Sequence, residues 1–408
     1  MSREPPKHAC VLKMVKETFC KVMKKTAVIG TVLALLIISA GTGAFLLYDS
    51  PFTHTGQANV VRQPPYTVHR SEEVPYSTHR ALSTVANEQT TALLPWGIAL
   101  DSLNGFIWVA EPGCQPDVQC PATQPGVLGQ YAFSDGNLIQ NQYEPDGYSS
   151  PLFTAVDANG DVWFTQPDSD AIGEYNPQNQ QWSQWFLKKG SEPFDLTFDR
   201  HGNLWFTEFS SNAIGFFNLR THTVVEHATP TPDSNPYGIT LDRQGRIWFA
   251  ENGAGINQIA SFTPTLSGAT KITEYPTGGL RPHLIAADQA GHIWYSGGFG
   301  GNIGEFNPQS GNETQFVVYQ GTCSSPTNCT GSHISGISVD SKGDVWFTDS
   351  LSQRVGYLIP STGQVVSRTI DVSNAHPYDG LMIDRSERVW FTEEFESTLT
   401  MWPASAVK

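Results

Sequence analysis

From residue 95 onward, apolar residues fall in short runs separated by Asp- and Gly-bearing turns, and one pattern recurs seven times. The segments are PWGIALDSLNGFIWVAE (95–111), PLFTAVDANGDVWFTQ (151–166), PFDLTFDRHGNLWFTE (193–208), PYGITLDRQGRIWFAE (236–251), PHLIAADQAGHIWYSG (282–297), ISGISVDSKGDVWFTD (334–349) and YDGLMIDRSERVWFTE (378–393). Runs such as GITLD and GISVD read as short apolar strands. The next residues, as in DANGD, read as a hairpin turn in which Asp bonds its own backbone and Gly supplies positive φ. VWFT and IWFA form a second strand. An Ile-Gly pair then opens a third strand (AIGEYNP, AIGFFNL, NIGEFNP), and a Pro/Asn/Gly turn leads to a fourth, such as WSQWFLK or TQFVVYQ.

Four antiparallel strands per repeat of about 40–45 residues is the pattern of a propeller blade. The fold expected is therefore all-β: a seven-bladed β-propeller of four-stranded antiparallel blades over 91–408. The last repeat has a third strand, STLTMWP, but no fourth. A strand from within 60–90 is expected to close the ring and remove the sheet edges that would otherwise be open.

The pattern changes at the other end. Residues 27–48, AVIGTVLALLIISAGTGAFLLY, carry no charge. At about 1.5 Å per residue they reach ~30 Å, the thickness of a bilayer core. The expectation is one N-terminal transmembrane helix (26–48) behind a basic cytoplasmic tail (1–25) containing Lys13, Lys16, Lys21, Lys24 and Lys25. Residues 49–90 read as a polar linker, and the propeller is expected outside the cytoplasm at the cell membrane. A cleaved signal peptide with a small-residue site near Gly41–Ala44 is the alternative.

Charge supports two compartments. Residues 1–48 hold 7 Lys+Arg against 2 Asp+Glu, whereas 49–408 hold 17 against 37. An acidic body argues against nucleic acid as a partner. Of the six Cys, Cys114/Cys120 and Cys323/Cys329 lie in two Gly/Pro/Ser-rich loops where extracytoplasmic disulfides would form; four Cys allow three connectivities, and local pairing is the preferred one.

Blade connectivity ranks candidate site positions. Five residues before each turn Asp stand Trp96, Leu152, Phe194, Tyr237, His283, Ser335 and Asp379, expected at one mouth of the channel. Three residues after each Trp stand Glu111, Gln166, Glu208, Glu251, Gly297, Asp349 and Glu393, expected at the same mouth. Carboxylates gathered there would bind a hard cation, magnesium or calcium, or raise one another's pKa. Trp96, Phe194 and Tyr237, with Asp379, would line the binding site for a small organic or peptide ligand. His283 and His333 are the candidate general bases. No Gly-x-Ser-x-Gly elbow, Walker loop or Gly-x-Gly-x-x-Gly after a strand is present.

PYGITLDRQGRIWFAE, PFDLTFDRHGNLWFTE and the Asn-x-Ile-Gly third strand (NAIG at 212–215, GNIG at 301–304) resemble the streptogramin B lyase family over about 92–403. That resemblance implies a seven-bladed propeller and a magnesium-assisted elimination that linearises cyclic depsipeptides. It also implies working residues: a His in the Pro-His-Gly start of two successive blades, a Glu two residues before the second His, and a Glu just after that blade's Trp-Phe-x. His283 keeps the Pro-His start, with Arg281 and Gly297 where that blade's carboxylates would be. In the next blade Ser335 holds the His position, with His333 two residues earlier and Asp349 after the Trp. Glu192 and Glu208 keep the carboxylate spacing in blade 3, around Phe194. No blade pair assembles the full set. The sequence thus supports two functions: a ligand-binding propeller, as in the similar NHL-type repeats, or a metal-assisted lyase or lactone hydrolase acting on a cyclic ester.

Overall fold

The computed structural model describes residues 94–113, 126–145, 150–266, 268–319, 331–370, 375–395 and 397–402, all within one compact unit. The candidate anchor and the linker with its expected closing strand lie outside the described residues. So do the four cysteines expected to staple two loops, Cys114, Cys120, Cys323 and Cys329. No helix among the described residues is long and apolar enough to cross a membrane.

Seven antiparallel sheets follow one another as the repeat predicts. Six have four strands in sequential order, and the seventh has three described strands. In blade 3 they are Pro193–Phe198, Leu204–Glu208, Ala213–Asn218 and Thr223–Ala228. Blade 4 carries an extra hairpin pairing Pro264–Thr265 with Gly268–Ala269. The innermost strands touch in turn around the ring, and that of blade 7 (Pro377–Ile383) meets that of blade 1 (Ile98–Asp101). Arg388 of blade 7 also donates to the carbonyls of Phe133 (2.6 Å) and Ser134 (3.0 Å) in blade 1.

The repeated Asp and Trp form one device. In blades 3 to 7 the indole N–H donates to the carboxylate six residues earlier: Trp205 to Asp199 (2.9 Å), Trp248 to Asp242 (2.8 Å), Trp294 to Asp288 (2.9 Å), Trp346 to Asp340 (3.2 Å) and Trp390 to Asp384 (2.9 Å). The other carboxylate oxygen accepts backbone N–H groups of the turn, as in Asp199 with His201 and Asn203. One side chain therefore shapes the hairpin and satisfies the only polar atom of a buried indole. The bond is missing in blades 1 and 2: Trp108, seven residues after Asp101, and Trp163, six after Asp157, have no partner for the indole N–H.

Two glycine positions set the close approaches. A Cβ on Gly215, in the Ile-Gly pair, would overlap the Phe206 ring of the adjacent strand. A Cβ on Gly238, in the Pro-x-Gly start, would meet the Leu284 backbone of the next blade. The inner wall is therefore backbone packed on backbone.

The Thr of the Trp-Phe-Thr triplet locks that wall. Thr207 Oγ1 accepts from the Asp195 backbone N–H (3.0 Å) and donates to the Tyr237 carbonyl of the next blade (2.7 Å). Thr348 and Thr392 donate likewise to the carbonyls of Tyr378 (2.6 Å) and Trp96 (2.9 Å). Thr207→Val keeps the shape but strands a buried N–H and a carbonyl. A loss of about 1–2 kcal/mol in urea unfolding is expected; an unchanged midpoint would show that the clamp contributes nothing.

Candidate functional site at the propeller mouth

The start of the innermost strand is irregular in blades 4, 6 and 7. Pairing with the second strand slips between Pro236 and Ile239, between Ile334 and Ile337, and between Pro377 and Leu381. A bulge re-aims the residues inside it, and these bulges contain Tyr237, Ser335 and Asp379. Two of them, Tyr237 and Asp379, meet across the ring.

Asp379, whose side chain is fully buried, is the hub. It accepts from Trp96 Nε1 of blade 1 (3.2 Å) and Tyr237 OH of blade 4 (2.7 Å), and lies 3.1 Å from His283 Nε2 of blade 5. The Tyr237 ring stacks on His283 at 4.2 Å, and Phe194 packs on Tyr237 at 4.9 Å. All four ligand-site candidates, Trp96, Phe194, Tyr237 and Asp379, are therefore gathered, together with His283. Ser335 is occupied with Thr348 in its own blade. Asp195, accepting from the N–H groups of Leu196 and Ile239, lies in the same channel. Burial, and then the neighbouring Asp379 carboxylate, push it up to about 7.

His333 joins the group although it is two residues off the repeat position. Its ring lies 5.1 Å from His283. The Asp349 carboxylate holds it there by accepting from the His333 N–H (2.9 Å) and Ser332 Oγ (2.9 Å). Burial, and then charge on His283, lower its pKa to about 3, so its imidazole stays neutral.

A row of rings extends from it across the mouth. Phe299 packs on His333 (4.4 Å), His333 on Tyr378 (5.3 Å), Tyr378 on His376 (5.3 Å) and His376 on Phe395 (4.3 Å). His376 Nδ1 is 2.9 Å from Glu394 Oε2. His376, Tyr378, Phe299, Phe395 and Glu394 do not occupy the repeat positions ranked from sequence. The visible clue was the cluster of His and Phe at irregular offsets within blades 5 to 7.

The acidic positions behave differently from expectation. Among the described residues, no three of His, Cys, Asp and Glu form a group able to hold a metal. Glu111 accepts from Tyr131 OH (3.0 Å), Glu208 from Ser211 Oγ (2.7 Å) and Glu393 from Thr400 Oγ1 (2.7 Å). Asp349 is taken by Ser332 and His333, and the exposed Glu192 by Ser210 Oγ. Glu251 is buried, and neither of its carboxylate oxygens has a hydrogen-bond partner within its reach. The reason is geometric. Side chains of a strand stand perpendicular to its sheet, so these carboxylates point between blades rather than along the sheet toward the axis. Among the described residues, these carboxylates do not gather into a magnesium or calcium site.

The sequence profile of the virginiamycin B lyase family matches residues 112–329, just over half of the 408 residues. The chain belongs to this family. No curated protein matches it in sequence. Among solved structures it is similar to a streptogramin B lyase, at 22% identity and a TM-score of 0.62, covering 77% of this chain and 95% of that one. It is also similar to a catalytically inactive histidine-to-alanine variant of virginiamycin B lyase from Staphylococcus aureus with quinupristin, at 24% identity and a TM-score of 0.63, covering 77% and 96%. The extracellular domain of a putative one-component system from B. thetaiotaomicron matches at 14% identity and a TM-score of 0.57, covering 80% and 40%. These likenesses establish the fold.

Within the family frame, blades 5 and 6 do bring two imidazoles together, His283 and His333, by a route the repeat register does not show. Arg281 stands where a family Glu is expected. Its guanidinium donates to Asn252 O (2.7 Å) and Oδ1 (2.9 Å), and Asn252 Nδ2 donates to the Pro282 carbonyl (2.7 Å) beside His283. A cationic side chain thus braces the strand that carries His283.

Burial raises Glu111 to about 8 against an ordinary value of 4.5. The folded state therefore binds its proton more tightly than the unfolded chain. Stability from this group is fully present below about 4.5 and is lost as pH rises toward 8. Glu111→Gln should flatten the fall in stability across that window by up to about 1.4 kcal/mol per pH unit. Urea unfolding of both proteins at a series of pH values checks it; parallel curves would refute it.

Proposed function

We propose that the chain is a ligand-binding propeller, tethered by residues 27–48 outside the cytoplasm, that takes a small organic or peptide ligand at the mouth. The observation that carries this reading is the ring row from Phe299 to Phe395 over the Asp379 hub. Such a floor combines flat apolar faces with a few convergent polar groups, the usual make-up of a ligand site. Quinupristin, the compound held by the similar lyase variant, is the natural first probe. Titrated into the full-length protein and followed by calorimetry, it should bind, and Tyr378→Ala should weaken it at least tenfold. Binding that survives Tyr378→Ala and His376→Ala unchanged would defeat the reading.

A second reading, catalysis on a cyclic ester, is favoured by one observation. His283 is paired to a buried carboxylate at 3.1 Å, the relation of a base to its orienting group. If the ring is opened, the products distinguish the chemistry: elimination leaves the mass unchanged, whereas hydrolysis adds one water. Chromatography with mass detection reads both, and activity persisting in His283→Ala would rule this reading out.

A further inference from the structure

Arg281 stands in the connection that leads into the first strand of blade 5 (Ile285–Ala287), on the mouth face, and its side chain is half-buried. Its guanidinium donates from Nε to the Asn252 carbonyl (2.7 Å) and from Nη2 to Asn252 Oδ1 (2.9 Å). Both acceptors are neutral. Among the described residues no carboxylate forms an ion pair with it. Burial lowers its pKa, and no neighbouring acid offsets that shift. The carboxylates of this part of the mouth are engaged elsewhere. Asp379 accepts from Trp96 and Tyr237 and faces His283. Asp349 accepts from Ser332 and the His333 N–H, and Glu394 lies 2.9 Å from His376 Nδ1. Lys188 and Lys189 are exposed on the same face but in blade 2, and Lys188 is 3.8 Å from Glu226.

Bracing the strand does not require a cation. The bonds to Asn252 ask only for N–H donors, which a neutral amide also supplies. Holding a guanidinium partly out of water without a counter-ion costs free energy. That cost falls at a position where the family pattern has Glu, so the charge of this corner is reversed. The charge is felt in the site, because Arg281 contributes to the lowered pKa of His333. The donors left over have a defined shape. A guanidinium presents its N–H groups in a planar fork. With the Nε side spent on Asn252, the end formed by Nη1 and Nη2 remains, and it matches the paired oxygens of a carboxylate. Phe299 and Tyr378, packed on His333, supply flat apolar faces in the same mouth.

We propose that Arg281 is an anion-binding residue of the mouth and that the ligand is a small organic anion, a carboxylate on an apolar body. The carboxylate takes the Nη end of the guanidinium, and the body lies on the rings over His333. This inference rests on the mouth being the binding surface. A neutral ligand would leave the guanidinium without a counter-ion.

The test uses the full-length protein and two probes of nearly one shape, phenylacetate and phenylacetamide, titrated by calorimetry at neutral pH. Phenylacetate should bind about tenfold tighter, the margin between charge-assisted and neutral hydrogen bonds. Arg281→Gln removes the charge and should erase the difference, whereas Arg281→Lys keeps the charge and should retain most of it. Equal affinity for the two probes in the unaltered protein overturns the inference, whether or not the variants fold. A preference that survives Arg281→Gln overturns it as well. Inorganic phosphate binding tighter than phenylacetate would also overturn it, by making the corner a phosphate site. Quinupristin serves as the reference. If it binds and responds to Tyr378→Ala while the two probes are not distinguished, only this inference fails. If neither quinupristin nor phenylacetate binds, the mouth reading fails with it.

Discussion

Asp379→Ala is expected to destabilise the propeller by about 3 kcal/mol or more and to disorder the candidate site at the same time. The substitution leaves Trp96 Nε1, Tyr237 OH and His283 Nε2 facing a void. An unpaired buried donor costs roughly 1–3 kcal/mol, and the indole and phenol donors are stranded together. One effect opposes this. Asp379 raises the pKa of Asp195, so its loss relieves a like-charge interaction. That relief is one coulombic contact against three lost hydrogen bonds, and the bonds win. Asp379→Asn keeps the volume and one acceptor oxygen and should cost less than half as much. Urea unfolding measures both, and a stable Ala variant would show that the three donors have other partners. Because they come from blades 1, 4 and 5, the loss should reach the ring as a whole rather than blade 7 alone.

Trp248→Ala should cost about 3–5 kcal/mol, the range for deleting a fully buried large aromatic. Trp248 is 0% exposed, its N–H bonds Asp242, and the Arg246 guanidinium lies 5.0 Å from its ring centroid. Trp248→Phe separates packing from the hydrogen bond, with Trp108→Phe as the control because that indole makes no bond to its turn Asp. The Trp248→Phe loss should exceed the Trp108→Phe loss by about 1 kcal/mol. Equal losses would mean that the Asp–Trp bond adds nothing to packing.

Much of the architecture was legible in the chain because a blade is a local object. Its strands pair with sequence neighbours, its turn Asp and Trp are six or seven residues apart, and each apolar run is short enough to read directly. The Trp96, Phe194, Tyr237 and Asp379 group was legible for a related reason: repetition puts the same position of each blade at the same radius. The carboxylates shared that logic but not its outcome. Equal radius brings residues together only when their side chains turn inward, and Glu111, Glu208 and Glu393 turn toward partners in their own blades instead.

The sequence by itself determined seven antiparallel units, their order, their turns and the identity of the residues at the inner end of each first strand. Only the tertiary structure decided which of those residues meet. The bulges at Tyr237 and Asp379 aim them across the channel, and the Asp349 carboxylate holds the His333 backbone so that its imidazole reaches His283. The physical reason is one of range. Strand pairing is set by alternation and turn chemistry within some forty residues, whereas a contact such as Trp96 to Asp379 spans 283 residues and exists only once the ring has closed.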